Sequence, residues 1–159
     1  MTPGEVLLVD DDEEMRLATV QALELAGFRV RHFPAAERVI ELCGFGFKGI
    51  VISDIRMPGM DGMTLMTRIH DLDTDIPVIL ITGHATLEDA IAAVRIGAFD
   101  FVRKPFRLQE IFDATSRAMA RAGERRKVAA AQGHLVGASG AGPAAGPSTE
   151  LSGEAEATE

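Results

Sequence analysis

Apolar and polar positions alternate between two rhythms from Glu5 to Met119. Glu5–Val9 (EVLLV) is a continuous apolar run of buried-strand length. Met15, Ala18, Thr19, Ala22, Leu23 and Ala26 then recur at helical spacing, and Gly27 stands where that helix should stop. Arg29–Phe33 alternates like a strand, and Ala36–Cys43 reads as a helix. Gly49–Ser53 (GIVIS) is a second buried strand run, followed by a Pro/Gly-rich loop and a short helix over Met63–Ile69. Pro77–Ile81 (PVILI) predicts a fourth strand. Leu87, Ala90, Ile91 and Val94 mark a helix capped by Gly97, and Phe99–Val102 a fifth strand. Leu108, Ile111, Phe112, Thr115 and Met119 mark a last helix, expected to run to about Ala131.

This is a βα unit repeated five times. Continuous apolar strands alternating with helices predict an α/β fold with a parallel sheet covered on both faces. Crossovers should be right-handed. The leading candidate is a flavodoxin-like, doubly wound (βα)5 sheet of strand order 2-1-3-4-5.

Composition separates the end of the chain from this rhythm. Between Gly133 and Glu159, 19 of 27 residues are Gly, Ala, Pro, Ser or Thr, and no Phe follows Phe112. Such a segment has too little apolar surface to offset its ordering entropy. The expected organisation is a folded domain over 1–122, a helix extension or linker over 123–132, and a low-complexity disordered tail over 133–159.

Charge and cysteine narrow the function classes. A formal net charge of −8 opposes binding to a phosphate backbone, so no direct nucleic-acid contact is expected. Arg121, Arg125, Arg126 and Lys127 read as a solvated helix end. The single Cys43 excludes an internal disulfide and fits a reducing compartment. It shares an apolar face with Ala36, Val39 and Ile40, as a small core residue would. No apolar stretch reaches membrane-spanning length, and the N-terminal MTPGEVLLVDDD lacks the basic region of a signal peptide. A cytoplasmic location without membrane contact is the expectation.

In open α/β sheets ligands bind beyond the carboxyl ends of the strands, at the point where strand order reverses. Asp10, Asp11 and Asp12 follow the first strand, Asp54 the third, Thr82 the fourth, and Lys104 and Pro105 the fifth. Carboxylates brought together repel one another unless a cation sits among them. Oxygen ligands without His or Cys select a hard cation, and Mg2+ suits a site with few protein ligands that also meets phosphate oxygens. Lys104 adds a positive charge suited to a phosphoryl oxygen, and Thr82 a hydroxyl able to hydrogen-bond to one. Asp54 can then act as a nucleophile that forms an aspartyl phosphate. Asp12 reads as the N-cap of the first helix, with Glu13 and Glu14 in its first turn. Asp61, before Gly62, reads as a turn residue, and His32, His70 and His134 as surface or loop residues.

The four segments LLVDDD, VISDIRMPGMDG, VILITGHA and DFVRKPF, in this order, resemble the receiver domain of two-component response regulators. The wording is nearest to receivers of the nitrogen-regulator and C4-dicarboxylate-regulator type, over about residues 4 to 122. The resemblance implies that Asp54 is the phosphoacceptor and that Asp10 and Asp11 are the acidic pair, with Asp11 the more direct Mg2+ ligand. It implies that Asp54 and the backbone carbonyl of Arg56 complete the metal site. Thr82 matches the switch hydroxyl, Phe101 the switch aromatic, and Lys104 the lysine before a proline with a cis bond. Arg56 and His84 match positions that line the path of an attacking water.

The resemblance further implies a signalling domain, not an enzyme beyond its own phosphotransfer and autodephosphorylation. The implied partners are a sensor histidine kinase or phosphotransfer protein and a downstream protein target. A phosphorylation-dependent homodimer through the last helices and strand is also implied. No G-x-x-x-x-G-K-[ST] pattern occurs, so the chain is read either as a stand-alone receiver or as a receiver fragment of a transcriptional regulator. The low-complexity tail favours the first. One rival is a metal-dependent phosphohydrolase with an aspartyl-phosphate intermediate, but such enzymes place an acid where Arg56 stands. Another is a phosphate-blind interaction domain, which would not need the acidic pair.

Overall fold

A computed structural model of the chain describes residues 4–44, 46–84 and 86–141. Two units divide the chain, Met1–Arg125 and Arg126–Glu159. The first holds five βα units: β1 (Glu5–Val9), α1 (Glu13–Leu25), β2 (Arg29–Phe33), α2 (Glu37–Leu42), β3 (Ile50–Asp54), α3 (Gly62–Leu72), β4 (Val78–Thr82), α4 (Leu87–Arg95), β5 (Asp100–Arg103) and the start of α5 (Leu108–Ala141). All strands are parallel, in the order β2-β1-β3-β4-β5.

Strand side chains alternate between two cores, as a two-residue period requires. Leu7, Val9, Val51, Val78 and Leu80 face Val39 of α2, Leu65, Met66 and Ile69 of α3, and Ala93 of α4. Val6, Leu8, Ile50, Ile52, Ile79, Ile81 and Val102 face Val20 and Leu23 of α1 and Ile111, Ala114, Ala118 and Ala122 of α5. Covering on both faces explains why β1, β3 and β4 read as unbroken apolar runs. β2, at the sheet edge, has no fully buried residue. Cys43 is buried, and burial pushes its thiol up to about 12, so it stays protonated at neutral pH.

The ends of the elements follow local chemistry. Asp12 is the N-cap of α1, its carboxylate accepting from the Met15 N–H at 3.1 Å. Asp61, read from the sequence as a turn residue, is the N-cap of α3 and accepts from the Thr64 N–H at 2.8 Å. Thr86 and Asp89 form a reciprocal capping box at the start of α4. Gly27 and Gly97 leave α1 and α4 at φ +98° and +97°, where a side chain would be strained.

Several element bounds shift from the pattern, as with β5, expected over Phe99–Val102 and found over Asp100–Arg103, and two shifts change the reading. β3 and β4 each extend one residue further than the apolar runs suggest, so Asp54 and Thr82 are the last residues of their strands. Their backbones still join the ladder, with Asp54 opposite Ile81 and Thr82 opposite Arg103. The expected tail starts at Gly133, but α5 runs to Ala141. Ala129–Ala131 and the further Ala residues up to Ala141 are strong helix formers and set against Gly133, Gly137 and Gly140. Residues 142–159 of that expected tail lie outside the described residues. Among the described residues no helix is long and apolar enough to cross a membrane.

Candidate functional site

The site lies at the carboxyl ends of β1, β3, β4 and β5, where the strand order reverses between β1 and β3. Asp10 follows β1 and is 1 % exposed; Asp54 ends β3 and is 8 % exposed. Asp11 is exposed beside them. Each of these three carboxylates offers an oxygen within 4.8 Å of the others, although 43 residues of chain lie between Asp10 and Asp54.

Lys104 reaches across from the end of β5. Its Nζ donates to Asp54 Oδ2 at 2.9 Å and to Asp10 Oδ2 at 3.0 Å. Burial works against the charged ammonium, but the hydrogen bonds and charges of Asp54 and Asp10 outweigh it, so the Lys104 pKa lies above the usual lysine value. The cup therefore holds a protonated lysine between two buried carboxylates. The Lys104–Pro105 bond is cis, and the Lys104 N–H donates to the Thr82 carbonyl at 2.8 Å, tying β5 to the end of β4.

The remaining oxygens are held by the backbone. Asp10 Oδ1 accepts from the Asp12 N–H at 3.0 Å, and Asp54 Oδ1 from the Arg56 N–H at 3.2 Å. Thr82, 2 % exposed, accepts at Oγ1 from the His84 N–H at 3.2 Å, which leaves its own proton to donate. Gly62 makes the cup compact: a Cβ there would run into the Asp54 carbonyl oxygen. Its N–H donates to the Ile55 carbonyl at 2.8 Å, which seats the start of α3 against the end of β3.

The structure thus brings Asp10, Asp11, Asp54 and Lys104 together as the strand-end pattern predicts. Thr82 ends the neighbouring strand. Phe101 is half-buried in β5 and packs against the core on the α2–α4 face. Arg56 extends over the surface, where Nη2 lies 3.4 Å from Asp89 Oδ2 and 3.5 Å from the His84 carbonyl. Arg56 and Asp89 also border a cleft of about 470 Å3 with Ile55, Met57, Pro58, Asp61 and Met63. Asp89 carried no signal in the sequence beyond that of a first-turn acid. Neither did Arg16 and His32, whose side chains meet beneath Asp10. His32 is exposed, as the sequence suggests, and its ring also meets Arg16 Nε at 3.2 Å.

The donor set fits a hard cation. Three carboxylates at this spacing, with neither nitrogen nor sulfur ligands beside them, are the ligands Mg2+ prefers.

Comparison with known proteins agrees with this geometry. Residues 6–116 match the family model for the response regulator receiver domain. The chain is 48 % identical over 113 residues to the C4-dicarboxylate transport transcriptional regulatory protein DctD of Rhizobium meliloti, covering 71 % of this chain and 25 % of that protein. It is 37 % identical over 118 residues to the transcriptional regulatory protein FixJ of the same organism, covering 74 % of this chain and 58 % of FixJ. Among solved structures, a CheY-like receiver domain protein from Methanospirillum hungatei superposes with a TM-score of 0.71 at 25 % identity, covering 78 % of this chain and 99 % of that one. The N-terminal part of FixJ superposes with a TM-score of 0.70 at 36 % identity, covering 76 % and 96 %. The chain spans about a quarter of the length of the DctD relative.

Proposed function

The chain belongs to the response regulator receiver domain family, a family of signalling domains of two-component systems, and from that premise we propose that Asp54 accepts a phosphoryl group from a partner histidine kinase. The observation that carries the proposal is the Lys104 ammonium shared by Asp54 and Asp10 at 2.9 and 3.0 Å. It sets a fixed positive charge beside Asp54, the buried carboxylate that ends β3.

A carboxylate oxygen of Asp54 attacks phosphorus on the donor's phosphohistidine. The new P–O bond forms as the P–N bond breaks. The bonding pair stays on the ring nitrogen, and the imidazole, protonated on its other nitrogen, leaves neutral. Asp54 is already oriented by the Arg56 N–H, so the chain contributes mainly positioning and charge. Lys104 transfers its hydrogen bond from Asp54 to a phosphoryl oxygen, and the free O–H of Thr82 donates to another. Asp10, Asp11, Asp54 and the Arg56 carbonyl would hold Mg2+, which when bound neutralises charge on the phosphoryl oxygens.

The switch follows from the same contacts. Thr82 and Lys104 are drawn toward the new charge, and the loops after β3 and β4 move with them. Phe101 repacks, and the surface of α4, β5 and α5 changes its contacts with a downstream protein or a second copy of the chain. This is a two-state equilibrium biased by a local charge. The proposed setting is the cytoplasm, with no direct nucleic-acid contact by this chain. Its relatives are named as transcriptional regulators, and the piece matched here would be their receiver, with output supplied elsewhere.

Incubation with acetyl phosphate and Mg2+ tests the proposal. Wild type should take up one phosphoryl group per chain, seen by intact mass, and Asp54→Asn none. Equal labelling of Asp54→Asn would contradict it. Many turnovers on a small phosphate ester would favour a phosphohydrolase instead.

A further inference from the structure

Beneath the acidic cup lies a contact that the phosphotransfer chemistry does not use. Arg16, in the first turns of α1, is only 9 % exposed. Its Nη1 donates to the Asp10 carbonyl oxygen at 2.8 Å, and its Nε lies 3.2 Å from His32 Nδ1 on β2. Arginine can only donate, so His32 Nδ1 accepts and carries no proton in this contact. Among the described residues no carboxylate forms an ion pair with Arg16. A guanidinium this deeply buried without a carboxylate partner is costly unless its surroundings compensate.

We propose that Arg16, anchored by His32, is a positioning residue for the Asp10–Asp11 pair and so for the divalent-cation affinity of the cup. The inference rests on the phosphoacceptor reading of that cup.

One physical effect, orientation, supports it. The Asp10 carbonyl belongs to the peptide that links Asp10 to Asp11. With that oxygen held by Arg16 and the Asp10 N–H held by the Phe33 carbonyl at 3.2 Å, the backbone cannot turn about Asp10. Asp11 is exposed, and among the described residues no hydrogen bond or ion pair holds its carboxylate, so its direction depends on this peptide. The guanidinium charge itself repels a nearby cation, so the expected gain is one of geometry that outweighs this repulsion. His32 fixes the guanidinium plane, so that Nη1 points at the carbonyl. Contacts of this kind, one step behind the ligands, typically change metal affinity by 10- to 100-fold.

The experiment compares Mg2+ binding by calorimetry across full-chain variants, with circular dichroism to check folding. Arg16→Met should weaken Mg2+ binding by about tenfold or more. His32→Leu, which removes the acceptor but not the guanidinium, should weaken it a few-fold. His32→Asn, whose amide oxygen can accept from Nε, should restore wild-type affinity. Wild-type affinity in folded Arg16→Met and His32→Leu would overturn the proposal. If Arg16→Met does not fold, His32→Leu against His32→Asn decides alone, and equal affinity in that pair overturns it. If wild type binds no Mg2+, the phosphoacceptor reading falls first and takes this inference with it. If wild type binds Mg2+ and accepts a phosphoryl group while the variants match it, this inference alone fails.

Discussion

With Lys104 truncated, Asp10 and Asp54 would share a buried cup without the ammonium that bridges them. Removing one member of a buried charge cluster costs about 3–5 kcal/mol, and the lower end applies because Lys104 keeps some exposure. Lys104→Met should therefore lose about 3 kcal/mol in urea unfolding at pH 7 with chelator present. Added Mg2+ should recover part of the loss, since a ligand of the folded state stabilises by mass action. The pH dependence has a definite sign. The Lys104 pKa is raised above 10.5 in the folded state, so its contribution is complete below that value and fades as pH climbs through the folded pKa. The stability gap between wild type and Lys104→Met should be constant from neutral pH upward and shrink only above about pH 10.5. A gap that closes below pH 9 would refute the assigned charge state. At this scale the four members of the cup were legible, because each stands directly at a strand end. Arg16–His32 and Arg56–Asp89 were not, because they join residues 16 and 33 apart by side chains alone, with no period or turn to betray them.

Elements meet the cup through their ends, and Gly62 is where this is tightest. Gly→Ala within a helix normally stabilises by about 0.5–1 kcal/mol. Here the sign should reverse, since the added methyl runs into the Asp54 carbonyl oxygen. Gly62→Ala should destabilise by about 1–3 kcal/mol, the usual cost of overpacking, and slow phosphorylation by shifting Asp54. A stabilised, fully labelled variant would contradict this close approach. Element types were legible from period alone, whereas their last residues were not. Asp54 and Thr82 look like loop chemistry yet stay in the ladder, because backbone pairing does not depend on side-chain polarity. In α4 the apolar spacing revealed the helix but not its buried side. Ala93 packs into the core, while Leu87 and Val94 are 77 % and 71 % exposed.

For the molecule as a whole, that outward apolar face of α4 gives the expected homodimer a physical basis. Sizing should show the phosphorylated chain eluting earlier than the unphosphorylated one. Val94→Asp, at an exposed position, should abolish the shift while leaving labelling intact. Unchanged elution on phosphorylation would remove the dimer from the proposal. The sheet order 2-1-3-4-5 followed from the five-unit rhythm and the known preference of such folds, since pattern alone cannot say which strands are neighbours. The extent of α5 was the least legible feature, because Gly, Ala and Ser in the same segment pull toward helix and coil at once. One carboxylate of the cup should take the phosphoryl group. Labelling with acetyl phosphate and Mg2+, borohydride reduction of the acyl phosphate and peptide mass mapping read that position directly. Homoserine at position 54 alone is the predicted result; homoserine at position 10 or 11, or at none, would contradict the account.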